Sequence, residues 1–137
     1  MNKATVFQIG NRLAKTMERK SAFIQAWGIV KAGGLEISVK GVLLGTRQTA
    51  LQRLAAYEPS QVRAWLAPEP ENPADPAAVA VMVMIQGGRA CYRLGYVPRE
   101  KTAVVTAMGG KLPALRVVSG TWGRGKTTYG ARLTLAA

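Results

Sequence analysis

The C-terminal part of the chain contains a segment that matches the phosphate-binding Walker A pattern. From Gly120 to Thr127, two glycines enclose four residues and are followed by Lys126 and Thr127. Phosphate binding by this motif needs a helix directly after it, because the helix N-terminus and its amides hold the phosphates. The residues after Lys126 favour a strand, and too few follow for an Asp-bearing strand that would help hold magnesium. We therefore expect a flexible hairpin loop here.

This expected loop presents Trp122, Arg124 and Lys126. An aromatic ring between two cations suits single-stranded nucleic acid, since the ring stacks on a base while the charges meet phosphates. The alternative is a solvated turn in which Trp122 folds back onto the domain. The residues alone leave both interpretations open.

A second candidate for chemistry is the acidic, proline-rich loop from Glu69 to Pro76. Its carboxylates suggest a magnesium site, because Mg²⁺ binds oxygen ligands. A nuclease, however, would place such groups on neighbouring strands, and among the predicted strands only Glu36 supplies a carboxylate. We favour a structural role, in which the Asn72 and Asp75 side chains bond to the backbone of the loop.

Histidine is absent from the chain, and Cys91 is its one cysteine. Without histidine, Ser-His and Cys-His catalysis are excluded, together with most zinc sites. A single cysteine excludes an intrachain disulfide and is typical of a reducing compartment. The sequence shows neither a signal-peptide pattern nor an apolar run long enough to span a bilayer. We expect a cytoplasmic protein that is not an enzyme, with no cofactor, no bound metal and no membrane partner.

The charge balance is strongly basic, with 19 Lys and Arg against 7 Asp and Glu and a net charge of +12. Basic residues dominate both ends of the chain, while four of the seven acids fall between positions 58 and 76. Such a field attracts polyanions, of which nucleic acid is the commonest for a basic domain. The alternative is a charge that serves only to keep the protein soluble.

The N-terminal extension, residues 1–34, predicts helical structure. Apolar residues recur at helical spacing with basic residues around the other side, and the first set is Val6, Ile9, Leu13 and Met17. Ser21 is a candidate cap for a second helix that carries Ile24, Trp27 and Val30 and is stopped by Gly33 and Gly34. One continuous helix is the alternative. Such a basic amphipathic helix can lie on a membrane or along phosphates, but we favour docking onto a neighbouring element.

The remaining residues, 35–137, predict a compact domain of the α+β class. Helices are expected over 46–56 and 101–108, and strands over 35–40, 62–66, 78–85, 91–97, 115–118 and 129–135. Six strands and two short helices without a βαβ rhythm indicate a small OB-like β-barrel of mixed topology.

Two motifs in this domain carry a resemblance to a known family. The first is Pro-Glu-Pro-Glu-Asn-Pro-Ala-Asp-Pro-Ala-Ala-Val-Ala-Val at 68–81, and the second is Leu-Gly-Tyr-Val-Pro-Arg-Glu at 94–100. Together they resemble the HIRAN domain, and residues 39–41 and 46–48 resemble its first strand and the turn into its first helix. The resemblance covers about residues 36–135 and leaves the N-terminal extension outside.

The resemblance implies a modified OB-like barrel that binds DNA, as in fork-remodelling translocases that capture the 3′-hydroxyl end of a single strand. Asp75 matches the carboxylate that accepts a hydrogen bond from the terminal hydroxyl, and Asn72 the asparagine that shapes the loop. Tyr96 and Arg99 match positions that face the strand. Ala74 stands where the family has an aromatic residue. The family's Arg-aromatic pair is also missing near 43–45, with Arg47 following.

Three hypotheses follow. The first is a module that binds DNA, single-stranded or at its ends, with the first helix as an auxiliary contact. Its predicted DNA-binding residues are Arg47, Asn72, Asp75, Tyr96, Arg99, Trp122, Arg124 and Lys126. The second is a protein-interaction module of a mobile element that inhibits or recruits a host nucleic-acid enzyme through Trp27 and the N-terminal helices. The third is nucleotide hydrolysis through Lys126.

Overall fold

The computed structural model describes residues 3–41, 47–85, 88, 91–109, 113–122 and 126–136. These ranges contain helices α1 (Lys3–Leu13), α2 (Arg19–Ala32), α3 (Arg47–Leu54) and α4 (Thr102–Ala107). Their strands are β1 (Gly34–Ser38), β2 (Val62–Pro68), β3 (Val79–Ile85), β4 (Cys91–Tyr96), β5 (Ala114–Trp122) and β6 (Lys126–Ala136). Short 3₁₀ turns at Pro59–Gln61 and Arg99–Lys101 precede β2 and α4. The predicted α+β class is confirmed.

The N-terminal extension forms a hairpin of two helices, α1 and α2. Gly33 ends α2 in the left-handed conformation, with φ of 82°, as its position predicts. The predicted cap at Ser21 was wrong, because α2 begins at Arg19 with Glu18 at the N-cap position and without a side-chain cap bond. No helix in the described ranges is long and apolar enough to cross a membrane.

The buried face of α2 is not formed by the larger apolar residues whose spacing indicates the helix. Its buried residues are Ala22, Ala26 and Ile29, while Ile24 and Trp27 are exposed. Ala22 and Ala26 have small side chains, which leave room for a neighbouring helix to approach closely. The two helices also approach closely near the start of α2, where the ring of Phe23 packs directly on Gly10 of α1.

The strands form two three-stranded antiparallel sheets, in the orders β1-β6-β5 and β2-β3-β4. All six predicted strands are present, and α3 buries Leu51 and Leu54. Thr46, the first residue of the helix predicted over 46–56 and a candidate for its cap, lies outside the described residues. The core between sheets and helices includes Leu13, Val81, Leu94 and Leu133, none of which is accessible to solvent.

The two sheets are joined at one edge by the segment that follows β1. The N–H of Val39 donates to the carbonyl of Ala131 on β6, and Lys40 exchanges two backbone hydrogen bonds with Tyr96 on β4. Gly95 is required beside this bridge, since a Cβ there would collide with the carbonyl oxygen of Lys40. At the other edge β2 contacts β5, but no ladder joins them within the described residues. The sheets therefore do not close into a barrel, and the OB-like barrel is not confirmed.

Candidate functional site

The loop between β2 and β3 is held in shape by its own side chains. The Oδ1 atom of Asn72 accepts hydrogen bonds from the backbone N–H groups of Ala74 (2.9 Å) and Asp75 (3.1 Å). The Oδ1 atom of Asp75 accepts one from the N–H of Ala77 at 3.0 Å. The predicted structural role of the two side chains is confirmed, because they satisfy backbone donors that a proline-rich loop cannot pair in a ladder.

Glu69 lies at the centre of this site, although sequence reasoning did not single it out. Its carboxylate accepts hydrogen bonds from the side-chain amide of Asn72 (3.1 Å) and the hydroxyl of Tyr96 (2.9 Å). It also forms an ion pair of 2.9 Å with Arg93. The hydrogen bond from Asn72 is the main reason that the pKa of Glu69 is lowered, and burial opposes it. The ionised carboxylate is thus held in place by three donors.

An irregularity in β4 brings Arg93 and Tyr96 to the same carboxylate. The register between β3 and β4 shifts between Val81 and Met82, which leaves Leu94 as an extra residue on β4. In a regular strand, residues three apart point to opposite faces. A bulge between them restores a common side, so both side chains reach Glu69.

The ring of Tyr96 lies beside two guanidinium groups. The Cζ atoms of Arg47 and Arg93 are 6.0 Å and 5.6 Å from the ring centroid. Arg47 is held from the other side, because it donates a hydrogen bond of 2.6 Å to the carbonyl of Gly41. Burial raises the pKa of Tyr96, and the hydrogen bond to Glu69 adds to this effect. Three predicted site residues, Arg47, Asn72 and Tyr96, therefore lie around one carboxylate.

Asp75 and Arg99 form a second, looser pair at the far end of the loop. The Nε atom of Arg99 lies 3.4 Å from Oδ2 of Asp75, and the Arg99 side chain is 78% exposed. An exposed pair of this length contributes little to stability, so the guanidinium can turn toward a ligand at low cost. The pair is coupled to the first cluster through Asn72, which accepts the N–H of Asp75.

The hairpin that the sequence places at residues 122–126 has a shorter connection than predicted. Trp122 and Lys126 are the last paired residues of β5 and β6, so their assignment to a loop was wrong. The ladder continues through the threonines that flank the turn, since β-branched residues favour strands. Lys126 begins β6, so the segment that matches the Walker A pattern is followed by a strand and not by a helix, as expected. The side chains of Trp122 and Lys126, and all of Arg124, lie outside the described residues, so their part in a site stays a prediction.

In the described part of the chain, no three His, Cys, Asp or Glu side chains are grouped so that they could hold a metal ion. Glu36, the one acid within the predicted strands, instead forms ion pairs with Arg132 (3.2 Å) on the adjacent β6 and Arg116 (3.4 Å) on β5, one strand further. The carboxylates with described contacts are therefore engaged with arginines and amides.

Comparisons with protein-family models, with curated proteins and with solved structures found no match. The resemblance to the HIRAN domain thus rests on the motifs at 68–81 and 94–100.

Proposed function

We propose that this protein is a DNA-binding module that takes single-stranded DNA and receives its 3′-hydroxyl end beside Asp75. The observation that carries the proposal is the grouping of Arg47 and Arg93 around the ring of Tyr96, with Arg99 at the other end of the same loop. Such cations can hold phosphates while the ring contacts a base. The net charge of +12 adds long-range attraction for a polyanion.

The chemistry of the Asp75–Arg99 pair supports a role at a strand end. A carboxylate repels a continuing phosphate, but it accepts a strong hydrogen bond from a terminal hydroxyl. One Asp75 oxygen is already bonded to the loop, whereas the other meets only the exposed Arg99 among its described contacts. In the proposed complex Arg99 holds the phosphate next to the terminal nucleotide.

The proposed family is the HIRAN domain, with its OB-like barrel as the proposed architecture. The bridge between Lys40 and Tyr96 supports this, because it joins the two sheets edge to edge beside the proposed site. The contact of β2 with β5 supports it at the opposite edge. Because Ala74 stands where the family has an aromatic residue, one stacking surface is missing in this chain. Tyr96 therefore provides the stacking surface on its own in the proposed site.

The test is a fluorescence-anisotropy titration of single-stranded, duplex and hairpin oligonucleotides at several salt concentrations. We expect the single strand to bind tightest, with log affinity falling by roughly 0.7 per phosphate neutralised for each decade of salt. Arg47→Gln should weaken binding. Arg63 is an exposed arginine at the start of β2, at the end of the strand away from the site, so Arg63→Gln should reduce affinity only by the effect of losing one positive charge. Absence of binding at low salt would refute DNA binding, and equal affinity for the duplex would refute the preference for single strands.

A protein-interaction role is the second candidate, and an exposed apolar surface on the helical hairpin favours it. Phe7, Ile24 and Trp27 are 55%, 65% and 48% exposed. Phe7 meets Phe23 edge to face at 5.5 Å, and Arg19 lies 4.9 Å above the Phe23 ring. Residues three and four apart share a side of a helix, so Phe23 and Trp27 lie together. A basic surface with such apolar residues fits an acidic protein partner.

This candidate is tested by a pull-down after nuclease treatment, which removes partners bridged by DNA. The double variant Ile24→Ser/Trp27→Ser should lose a partner that the wild type retains. Met17→Ser is the matched control, since Met17 is also an exposed apolar residue but lies between the helices in sequence. A partner retained equally by all three proteins would contradict binding through this surface.

A further inference from the structure

A groove lies between α1, the loop that follows β2, and α4. Its volume is about 550 Å³, within the range of roughly 300–1,000 Å³ that small-ligand sites occupy. Most of its surface is apolar, and the residues that matter for its chemistry are Arg12, Lys15, Pro70, Pro76, Ala103 and Thr106. The groove thus joins the N-terminal hairpin to the proposed DNA-binding loop.

The walls of the groove are stiff and smooth. Pro70 and Pro76 form one wall, and proline rings have fixed backbone angles and no donor to satisfy. Ala103 and Thr106, on the exposed side of α4, form another wall. The valines between them, Val104 and Val105, are on the opposite side of the helix and are buried in the core. A preformed slot between rigid walls loses little entropy when a flat apolar group enters it.

The charged side chains that line the groove have one sign. Arg12 and Lys15 lie along its α1 side, and none of the described residues that line it is acidic. One N–H group of Arg12 donates to the carbonyl of Ala107 at 3.1 Å, which fixes the guanidinium at the rim. A ligand for this groove therefore combines an apolar body with negative charge beside it.

The groove is continuous with the Asp75–Arg99 pair. Pro76 follows Asp75 directly, and Ala77, which also lines the groove, donates its N–H to the Asp75 carboxylate. On the other wall, the hydroxyl of Thr102 donates to the carbonyl of Arg99 at 2.9 Å. A DNA strand whose 3′ end lies at Asp75 would therefore have the groove beside it, with Arg12 and Lys15 on the α1 side of that groove.

We propose that the groove binds one unstacked base of the single strand, with Arg12 and Lys15 on the adjoining phosphates. The inference rests on the proposed DNA-binding function and adds a base site that uses the N-terminal hairpin. The repeated anion of a nucleic acid matches Arg12 and Lys15 along the slot, with Arg99 at its Asp75 end, better than the single charged end of an acyl chain does.

The test uses 3′-hydroxyl oligonucleotides in which one base at a time, counted from the 3′ end, is replaced by an abasic residue. For the wild type we expect one position where base loss weakens binding roughly 5- to 100-fold, as loss of a stacked base does. Ala103→Phe fills the groove, so it should weaken the intact strand by a similar factor and abolish the effect of that abasic position. Ala56→Phe, at an exposed site after α3, should keep the wild-type profile.

A flat abasic profile, or a profile unchanged by Ala103→Phe, would overturn the groove site while leaving DNA binding intact. Loss of all oligonucleotide binding in the wild type would overturn both proposals. Amide NMR of the wild type with thymidine 5′-monophosphate gives a measurement that needs no variant. Shifts at Thr102, Ala103 and Thr106 should exceed those from inorganic phosphate, and equal shifts, or larger ones from decanoate, would contradict a base site.

Discussion

The two carboxylates at the ends of the β2–β3 loop differ in how fully they are paired. Glu69 is 20% exposed and has three donors, from Asn72, Tyr96 and Arg93. Asp75 has one backbone donor and an exposed arginine at 3.4 Å. A carboxylate with most of its acceptor positions occupied holds the fold, whereas one with more spare acceptor capacity can receive a ligand. The difference separates a structural anchor from a candidate binding group within one loop.

The largest effect should come from removing the anchor. Glu69→Ala leaves three donors without their acceptor, and we expect a loss of about 2–3 kcal/mol in the free energy of unfolding. Urea denaturation measures it. Glu71→Ala removes the same charge from an exposed neighbour and should change stability by less than about 0.5 kcal/mol. Equal losses in the two variants would show that Glu69 is no anchor.

Acid should weaken the anchor in a defined range of pH. The pKa of Glu69 in the folded protein lies below its ordinary value of 4.5. Its contribution is therefore complete above that value and is lost as the pH falls through the lowered pKa. We expect Glu69→Gln to lose less stability than the wild type between pH 5 and about pH 2, while Glu71→Gln follows the wild type. Parallel curves for all three proteins would contradict the lowered pKa.

Asn72 connects the two ends, and its loss should have an intermediate effect. Asn72→Ala removes the acceptor of two loop N–H groups and one donor to Glu69, which should cost about 1–2 kcal/mol. Asn72→Asp keeps the acceptor but places a second charge beside Glu69, so it should raise the pKa of that carboxyl. Carboxyl-carbon NMR titration measures this pKa, and an unchanged value would place Asn72 outside the anchor.

The smallest effect on stability belongs to the Asp75–Arg99 pair. Asp75→Ala and Arg99→Gln should each cost less than about 1 kcal/mol, because exposed ion pairs contribute little and water can replace the lost partners. Thermal unfolding of both variants, with Glu69→Ala as the reference, measures the difference. A loss as large as that of Glu69→Ala would make Asp75 a second anchor and remove the contrast.

The sequence predicts the local structure of this molecule better than its long-range contacts. Alternation and apolar runs predict β2, β3 and β4 nearly in full. The Asn and Asp residues of the proline-rich segment predict side-chain bonds to the backbone of the loop, which the structure contains. The buried face of α2 is missed, because the spacing of its larger apolar residues marks Ile24 and Trp27, whereas the buried residues are Ala22, Ala26 and Ile29. The ends of β5 and β6 next to their connection are missed, because the glycines there predict a loop. In the structure the ladder nevertheless continues to the pair Trp122 and Lys126.

Glu69 is missed for a different reason. Its partners Arg93 and Tyr96 stand two strands away, and their common side depends on the bulge at Leu94. A bulge of this kind has no signature in one sequence beyond the neighbouring Gly95, so the pattern of alternation predicts opposite faces. The resemblance assigns roles to Asp75, Asn72 and Tyr96, and its first motif contains Glu69 without a role for the carboxylate that joins Asn72 to Tyr96.

The most direct test of the proposed strand-end site compares oligonucleotides that differ only in a 3′-hydroxyl or a 3′-phosphate, titrated against the wild type and Asp75→Ala. We expect the wild type to prefer the hydroxyl by roughly tenfold, equivalent to one charge-assisted hydrogen bond of about 1.4 kcal/mol. Asp75→Ala should bind both ends equally while retaining the salt dependence of the wild type. Equal affinity of the wild type for the two ends, or a preference that survives in Asp75→Ala, would contradict the account.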